Sequence, residues 1–247
     1  MKALITGASS GIGRDMAIYL SELGIDLVLA ARREDKLEEL KNTLKTNVEI
    51  IPTDISAAEN CIELHNQAQD VDILINNAGF GTFGKFNETS LIEEISMINT
   101  NICGMHTLTK LFLQDMKKRN SGYILNVASI AGFVPGPLMA TYYATKSYVY
   151  RLSQSIYEEL RKDKSNVKIS VLCPAPTATE FMAKAGVKFK IKCVSSEYVA
   201  RYAIDKMFKG KLVILPGIQA KAVKIGSKII PDKILARIVY KIQKKRK

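Results

Sequence analysis

Tyr142 and Lys146 stand four residues apart in the run ATYYATKS, residues 140–147. On a helix that spacing places both side chains on one face, so an ammonium can sit beside a phenol. A free phenol titrates near 10, and a neighbouring cation stabilises the phenolate; each unit of lowering corresponds to about 1.36 kcal/mol. Such a tyrosine can serve as a general acid or base. Ser129 ends the preceding apolar run ILNVAS, where its hydroxyl can hold a carbonyl oxygen against the same phenol. By spacing alone Tyr143, three residues before Lys146, could take the place of Tyr142.

The elements that must position these groups alternate along the chain. Strand-like runs fall at Ala3–Thr6, Leu27–Ala30, Val48–Pro52, Asp72–Asn76, Tyr123–Val127, Lys168–Cys173 and Leu212–Leu215. Between them the spacing predicts helices over Ile12–Leu23, Lys36–Leu44 and Ile55–Gln67, one long helix over Leu91–Lys118, and another after Thr141. This alternation with short connections predicts an α/β fold, a doubly wound parallel sheet covered by helices on both faces.

The first strand runs into Thr6, Gly7, Ala8, Ser9, Ser10, Gly11, Ile12 and Gly13. A glycine-rich turn between a buried strand and a helix lets the backbone approach a pyrophosphate, and the helix N-terminus favours that negative charge. The end of the second strand then selects the cofactor. An acidic residue about 20 positions past the glycines accepts ribose hydroxyls, whereas a 2′-phosphate calls for a basic one. This chain has Ala30, Ala31, Arg32, Arg33 and no carboxylate before Glu34, which favours NADP(H). Asp54 follows the third strand, placed to meet an adenine, and Asn76, Asn77, Ala78 and Gly79 end the fourth.

Composition narrows the alternatives. The 247 residues, 47% hydrophobic and 24% charged, are ordinary for a globular protein with a substantial core. Cys61, Cys103, Cys173 and Cys193 are scattered with no CxxC, so they read as reduced core thiols of a cytoplasmic protein and indicate neither zinc nor a redox pair. His65 and His106 are isolated, which argues against a His-dependent triad and a metal site. The apolar run after Lys2 is too short for a targeting segment.

Taken together, TGASSGIG, NNAG, Ser129, YYATK and CPAPTATEF are similar to the short-chain dehydrogenase/reductase family in its single-domain form, over nearly the whole chain to about Leu215. The resemblance implies an extended Rossmann fold with a seven-stranded parallel sheet and hydride transfer at a nicotinamide. It implies a catalytic tetrad of Asn101, Ser129, Tyr142 and Lys146. In that tetrad Tyr142, selected over Tyr143 by the family motif, is the acid/base and Ser129 polarises the carbonyl. Lys146 binds the nicotinamide ribose and lowers the tyrosine pKa, and Asn101 holds a proton-relay water. The implied cofactor contacts are Gly7, Ser9, Ser10, Gly11, Ile12, Gly13, Arg32, Arg33, Asp54, Ile55, Asn77, Ala78, Gly79, Tyr142, Lys146, Pro174, Thr177 and Thr179. One departure is Pro174-Ala175 where the family has Pro-Gly. The family also implies a homodimer or homotetramer, formed through the helices after the fourth and fifth strands. A non-catalytic NADP-binding module is the alternative class, and it has no need of the four tetrad residues at once.

Apolar residues gather where ligands bind in such sheets, beyond the carboxyl ends of the strands. They are Phe83, Phe86, Phe133, Val134, Leu138, Met139, Phe181, Met182 and Phe189, and they suggest a hydrophobic carbonyl or alcohol substrate unless they pack a lid onto the body. Lys184, Lys188, Lys190 and Lys192 could attract an anionic handle, as on the thioester substrate of a 3-oxoacyl reductase.

Residues 1–217 read as the catalytic body and residues 218–247 as a basic amphipathic extension of the same domain. From Lys221 to Lys247 there are ten basic residues and one acid, a net of +9 out of the chain's +12. Isoleucines recur there at threes and fours, with Pro231 dividing two helices. Such a tail can dock its stripe on the body or a partner subunit, or lie near the substrate entrance and engage an anionic membrane. One aromatic, Tyr240, and no recognition module argue against nucleic acid.

Overall fold

The protein is described from a computed structural model over residues 1–181 and 193–245. The strands are β1 (Lys2–Thr6), β2 (Asp26–Ala31), β3 (Val48–Pro52), β4 (Ile73–Asn76), β5 (Tyr123–Val127), β6 (Lys168–Leu172), β7 (Thr177–Ala178), β8 (Val194–Ser195) and β9 (Val213–Ile214). Seven of them form one parallel sheet in the order β3-β2-β1-β4-β5-β6-β9, the doubly wound topology expected, while β7 and β8 pair as a separate short ladder. The order reverses at β1, between β2 and β4, so the carboxyl ends of these three strands border the crevice where such sheets bind ligands.

Alternation along the central strands sends side chains to two cores, because successive Cβ atoms point to opposite faces. Ala3, Ile5, Ile73, Ile75 and Leu125 pack on α1 (Gly11–Glu22) and α2 (Glu34–Lys41). Leu4, Leu74, Ile124 and Ile169 pack on α3 (Ala58–Gln67), α5 (Met105–Lys118) and α6 (Ala140–Lys162), which succeed α4 (Leu91–Ile98) along the chain. The first face is completed by α7 (Ser196–Phe208), an element the sequence reading lacks, whose Val199, Ala200, Ala203, Ile204 and Met207 are buried.

Two helix boundaries differ for local reasons. The helix expected from Ile55 begins at Ala58, because the Asp54 carboxylate accepts from the Ser56 N–H at 3.0 Å and holds a turn first. The long helix expected over Leu91–Lys118 is broken into α4 and α5 by a π-helical turn, Asn99–Gly104. A Cβ built on Gly104 would lie 2.2 Å from the Ile55 carbonyl oxygen, so only glycine lets the helix pass this close. The widened turn carries Asn101 into the interior. Of the cysteines expected in the core, Cys61 and Cys173 are buried, but Cys103 is exposed and Cys193 partly so.

The tail forms α8 (Gly217–Ile229) and α9 (Asp232–Lys244), divided at Pro231 as the sequence predicts. It docks through buried Ala220, Leu235 and Gln243. Lys224 also anchors it, hydrogen-bonding the Tyr150 hydroxyl with its ammonium 4.5 Å from the Phe133 ring centroid. Docking leaves Ile218, Ile225 and Ile229 of α8 exposed at 84%, 60% and 75%. Among the described residues no helix is long and apolar enough to cross a membrane.

Candidate active site

A cleft of about 460 Å³ opens at the carboxyl ends of the strands. At one end lies the β1–α1 loop. Gly7 adopts φ +66°, and a Cβ there would press on the Ala78 backbone at 2.8 Å. Asn77 fixes the loop from β4, donating its amide to the carbonyls of Thr6 and Gly7 at 3.1 Å each. Gly13 makes room for that amide, since a Cβ there would lie 2.3 Å from the Asn77 Nδ2. Thr6, not among the expected cofactor contacts, accepts from the Asn77 and Ala78 N–H groups at 3.1 and 3.2 Å. The α1 N-terminus enters the cleft with no side-chain cap on Ser10 and no acid in its first turn. Its orphan N–H groups and dipole fit a pyrophosphate.

At the other end Ser129, Tyr142 and Lys146 come together on the wall. Ser129 ends the β5 run and caps a short 3-10 turn, its hydroxyl accepting from the Ala131 N–H at 3.1 Å. Lys146 is only 5% exposed, its ammonium donating to the Val127 carbonyl at 2.9 Å and lying 5.8 Å from the Tyr142 ring centroid. Burial lowers the Lys146 pKa to about 8. Burial raises that of Tyr142, opposed by a hydrogen bond from Ser129 and abetted by Tyr143. Burial thus dominates the Tyr142 shift, while Lys146 gives one of its three ammonium N–H groups to a backbone carbonyl and is itself desolvated.

Asn101 sits beneath this wall, fully buried. Its amide donates to the Phe80 carbonyl at 2.9 Å and the Thr145 hydroxyl at 3.0 Å, and its oxygen accepts from the Phe80 N–H at 3.1 Å. Gly79 separates it from Lys146, since a Cβ there would lie 2.9 Å from Asn101 Oδ1 and 3.2 Å from Lys146 Nζ. Phe80, Val127 and Thr145 thus orient the tetrad positions, and nothing in the sequence spacing marks them.

The remaining expected contacts line the same cleft: Ser9, Ser10, Gly11, Ile12, Arg32, Arg33, Asp54, Ile55, Ala78, Gly79, Pro174, Thr177 and Thr179. Gly13 and Asn101 lie behind it rather than on its surface. Arg32 stands 3.7 Å from the Asp54 carboxylate, and Arg33 donates to the Ser9 hydroxyl at 3.2 Å and to Glu180 at 2.9 Å. Ala175, the departure from Pro-Gly, is buried yet lines the cleft without closing it.

Among the described residues the apolar end of the cleft is built around Met139. Met139 packs with Phe83, Tyr142, Tyr143 and Phe181. Phe133 is instead a packing residue, edge-on to Tyr150 at 4.9 Å and covered by Lys224 from the tail. Phe86 is 69% exposed. Met182, Lys184, Lys188, Phe189, Lys190 and Lys192 lie outside the described residues.

A parallel sheet with a glycine-loop cleft at its switch point, and a tyrosine beside a buried lysine across from that loop, define a dinucleotide-type oxidoreductase. The profile of the family described as short chain dehydrogenase matches residues 1–188, and the chain belongs to that family. An uncharacterised oxidoreductase of Staphylococcus aureus strain MRSA252 is 37% identical over 186 residues, 73% of this chain and 80% of that one. The structure is similar to a short-chain dehydrogenase from Sphingobium yanoikuyae in complex with NADPH, with TM-score 0.83 and 27% identity over 92% of this chain and 93% of that one. It is equally similar to a short-chain dehydrogenase/reductase from Burkholderia phymatum in complex with NAD, with TM-score 0.84 and 27% identity over 91% of each chain.

Proposed function

We propose that the protein is an NADP(H)-dependent oxidoreductase interconverting a carbonyl and a secondary alcohol on a small hydrophobic substrate. The observation that carries this reading is the convergence of Ser129, Tyr142 and Lys146 on one wall of a cleft whose far rim holds Arg32 and Arg33. When bound, a nicotinamide would supply a hydride to the carbonyl carbon, or accept one in the oxidative direction. In reduction the carbonyl oxygen lies between the Ser129 and Tyr142 hydroxyls. Tyr142, kept protonated by burial, gives its proton to that oxygen as negative charge develops there.

Lys146, charged and buried, binds the nicotinamide ribose and stabilises the phenolate left behind. Asn101, its amide donors committed to Phe80 and Thr145, fixes the π turn behind this wall, and any relay water would fall to groups other than those donors. The glycine loop and the α1 N-terminus take the pyrophosphate, and Arg32 and Arg33 take the 2′-phosphate. Met139, Phe83 and Phe181 give the substrate end its apolar character.

Two features bear on partners. Leu91 and Ile92 of α4 are exposed at 72% and 82%, which supports a homo-oligomer joined through this helical face. The isoleucines and lysines of α8 and α9 support contact with an anionic membrane surface, with the body cytoplasmic.

Oxidation of NADPH against a graded panel of ketones, from short diketones through 3-oxoacyl thioesters to steroids, tests the reading. Turnover that rises with the hydrophobicity of the ketone is expected. Turnover of none of them, with NADPH bound, would favour the binding-module class.

A further inference from the structure

Three segments distant in sequence meet at the rim of the cofactor cleft. Ser9 comes from the glycine loop, Arg33 from the β2–α2 junction, and Glu180 from the segment after β7. A single nitrogen of Arg33, Nη2, donates to the Ser9 hydroxyl at 3.2 Å and to the Glu180 carboxylate at 2.9 Å. The segment bearing Glu180 is also packed against the loop. A Cβ on Gly11 would lie 2.9 Å from the Thr179 methyl, and β7 is tied down by its pairing with β8. The Arg33–Glu180 pair therefore ties the end of β2 to the segment after β7 beside the glycine loop.

The fold has little need of this pair. Its side chains are 36% and 49% exposed, and ion pairs so exposed contribute little to stability. Its place matters more. On the proposed cofactor reading, Arg33 is a ligand of the adenosine 2′-phosphate, and a guanidinium engages phosphate through the same donors that it offers a carboxylate. A phosphate monoester carries close to two negative charges at neutral pH, so it and the Glu180 carboxylate repel each other across one guanidinium. A cofactor with a 2′-hydroxyl makes no such demand and leaves the pair intact.

We infer that Glu180 is a specificity-determining residue for the cofactor: it competes with the 2′-phosphate for Arg33 and so moderates the preference for NADPH over NADH. The inference rests on the cofactor reading given above. Arg32 has a different relationship to its own carboxylate, standing 3.7 Å from Asp54, which is already committed to the Ser56 N–H. Glu180 is thus the acid hydrogen-bonded to a proposed phosphate ligand.

The test is titration of NADPH and NADH by fluorescence into the unmodified protein, Glu180→Gln, Arg33→Ala and the double variant. Glu180→Gln should bind NADPH about two- to fivefold more tightly, the size an exposed ion pair carries, with NADH affinity unchanged. The gain should vanish in the Arg33→Ala background and shrink at high salt. Unchanged or weaker NADPH binding by Glu180→Gln, or an equal gain for both cofactors, would overturn the role of Glu180. That role is read from the ratio of variant to unmodified protein. The cofactor reading is read separately, from the unmodified protein alone, and fails if NADPH binds no more tightly than NADH there.

Discussion

Gln243, in the last helix of the chain, donates its side-chain amide to the Tyr143 hydroxyl at 2.8 Å, joining residues 100 positions apart in sequence. The Tyr143 ring lies against the backbone of Gly136, where a Cβ would come within 2.0 Å of it. Tyr143 is thereby built into the apolar end of the cleft, while Tyr142 is the tyrosine beside Ser129 and Lys146. Spacing alone could not separate the two. The separation depends on a glycine six residues before Tyr142 and on an amide from the tail.

Gln243→Met keeps most of the volume and removes the hydrogen bond to Tyr143. Leaving that buried pair unmade should cost about 1–2 kcal/mol. Thermal unfolding should fall by a few degrees, and KM for a hydrophobic ketone should rise with kcat little changed. An unchanged KM would show that the tail does not shape the apolar end of the cleft.

Gly13→Ala tests the packing beneath the glycine loop. The added methyl would stand 2.3 Å from the Asn77 amide and 2.6 Å from the Gly7 carbonyl, so Asn77 must let go of the loop. Overpacking of this kind costs about 1–3 kcal/mol. Denaturant unfolding should register it, and cofactor affinity should fall in parallel. A variant as stable as the parent would mean that the loop tolerates a shifted Asn77.

How much of this was legible in the sequence varies with the range of the contacts involved. The seven main strands could be read because each is a short apolar run bounded by turn residues, and buried parallel strands have that composition. The glycine loop and the Tyr142–Lys146 pair are local patterns and could be read as well. The π turn could not, because the residues on either side of it have helical periodicity. Within it Asn101 is bonded to Phe80 and Thr145, across 21 and 44 residues, which helical periodicity does not encode. Phe133 looked like a substrate contact for the same reason: its partners Tyr150 and Lys224 lie far along the chain. Arg33 was legible as a basic residue at the end of the second strand, but Glu180, 147 residues away, was not legible as its partner.

Lys146 sets a pH dependence of stability. Its pKa is about 8 in the folded protein, below the ordinary lysine value of 10.5. Between those values the unfolded chain binds more protons, so this residue's contribution to stability rises with pH. The cost of burying the charge is full below about pH 8 and is relieved as pH climbs towards 10.5. Lys146→Met should therefore be more stable than the parent at pH 7, and the gap should narrow from pH 8 to 10. Chemical denaturation across that range checks it, and a gap independent of pH would contradict it.

The tail gives a prediction about surfaces. Ile218, Ile225 and Ile229 recur on one face of α8, with Lys221 and Lys228 beside them. Sedimentation with anionic vesicles should show binding that weakens with added salt and is lost on removal of residues 218–247, while neutral vesicles should bind weakly. Binding absent, or unaffected by truncation, would leave docking on the body as the tail's whole role.

The central claim is that Tyr142 delivers the proton. The most direct measurement is steady-state NADPH oxidation by Tyr142→Phe beside Tyr143→Phe, with NADPH affinity and thermal unfolding recorded for both. Tyr142→Phe should fold, bind NADPH and lose turnover by about a hundred- to ten-thousandfold, the usual worth of general acid catalysis. Tyr143→Phe should retain turnover with an altered KM. A Tyr142→Phe protein that still turns over, or loss of turnover in Tyr143→Phe instead, would contradict the account.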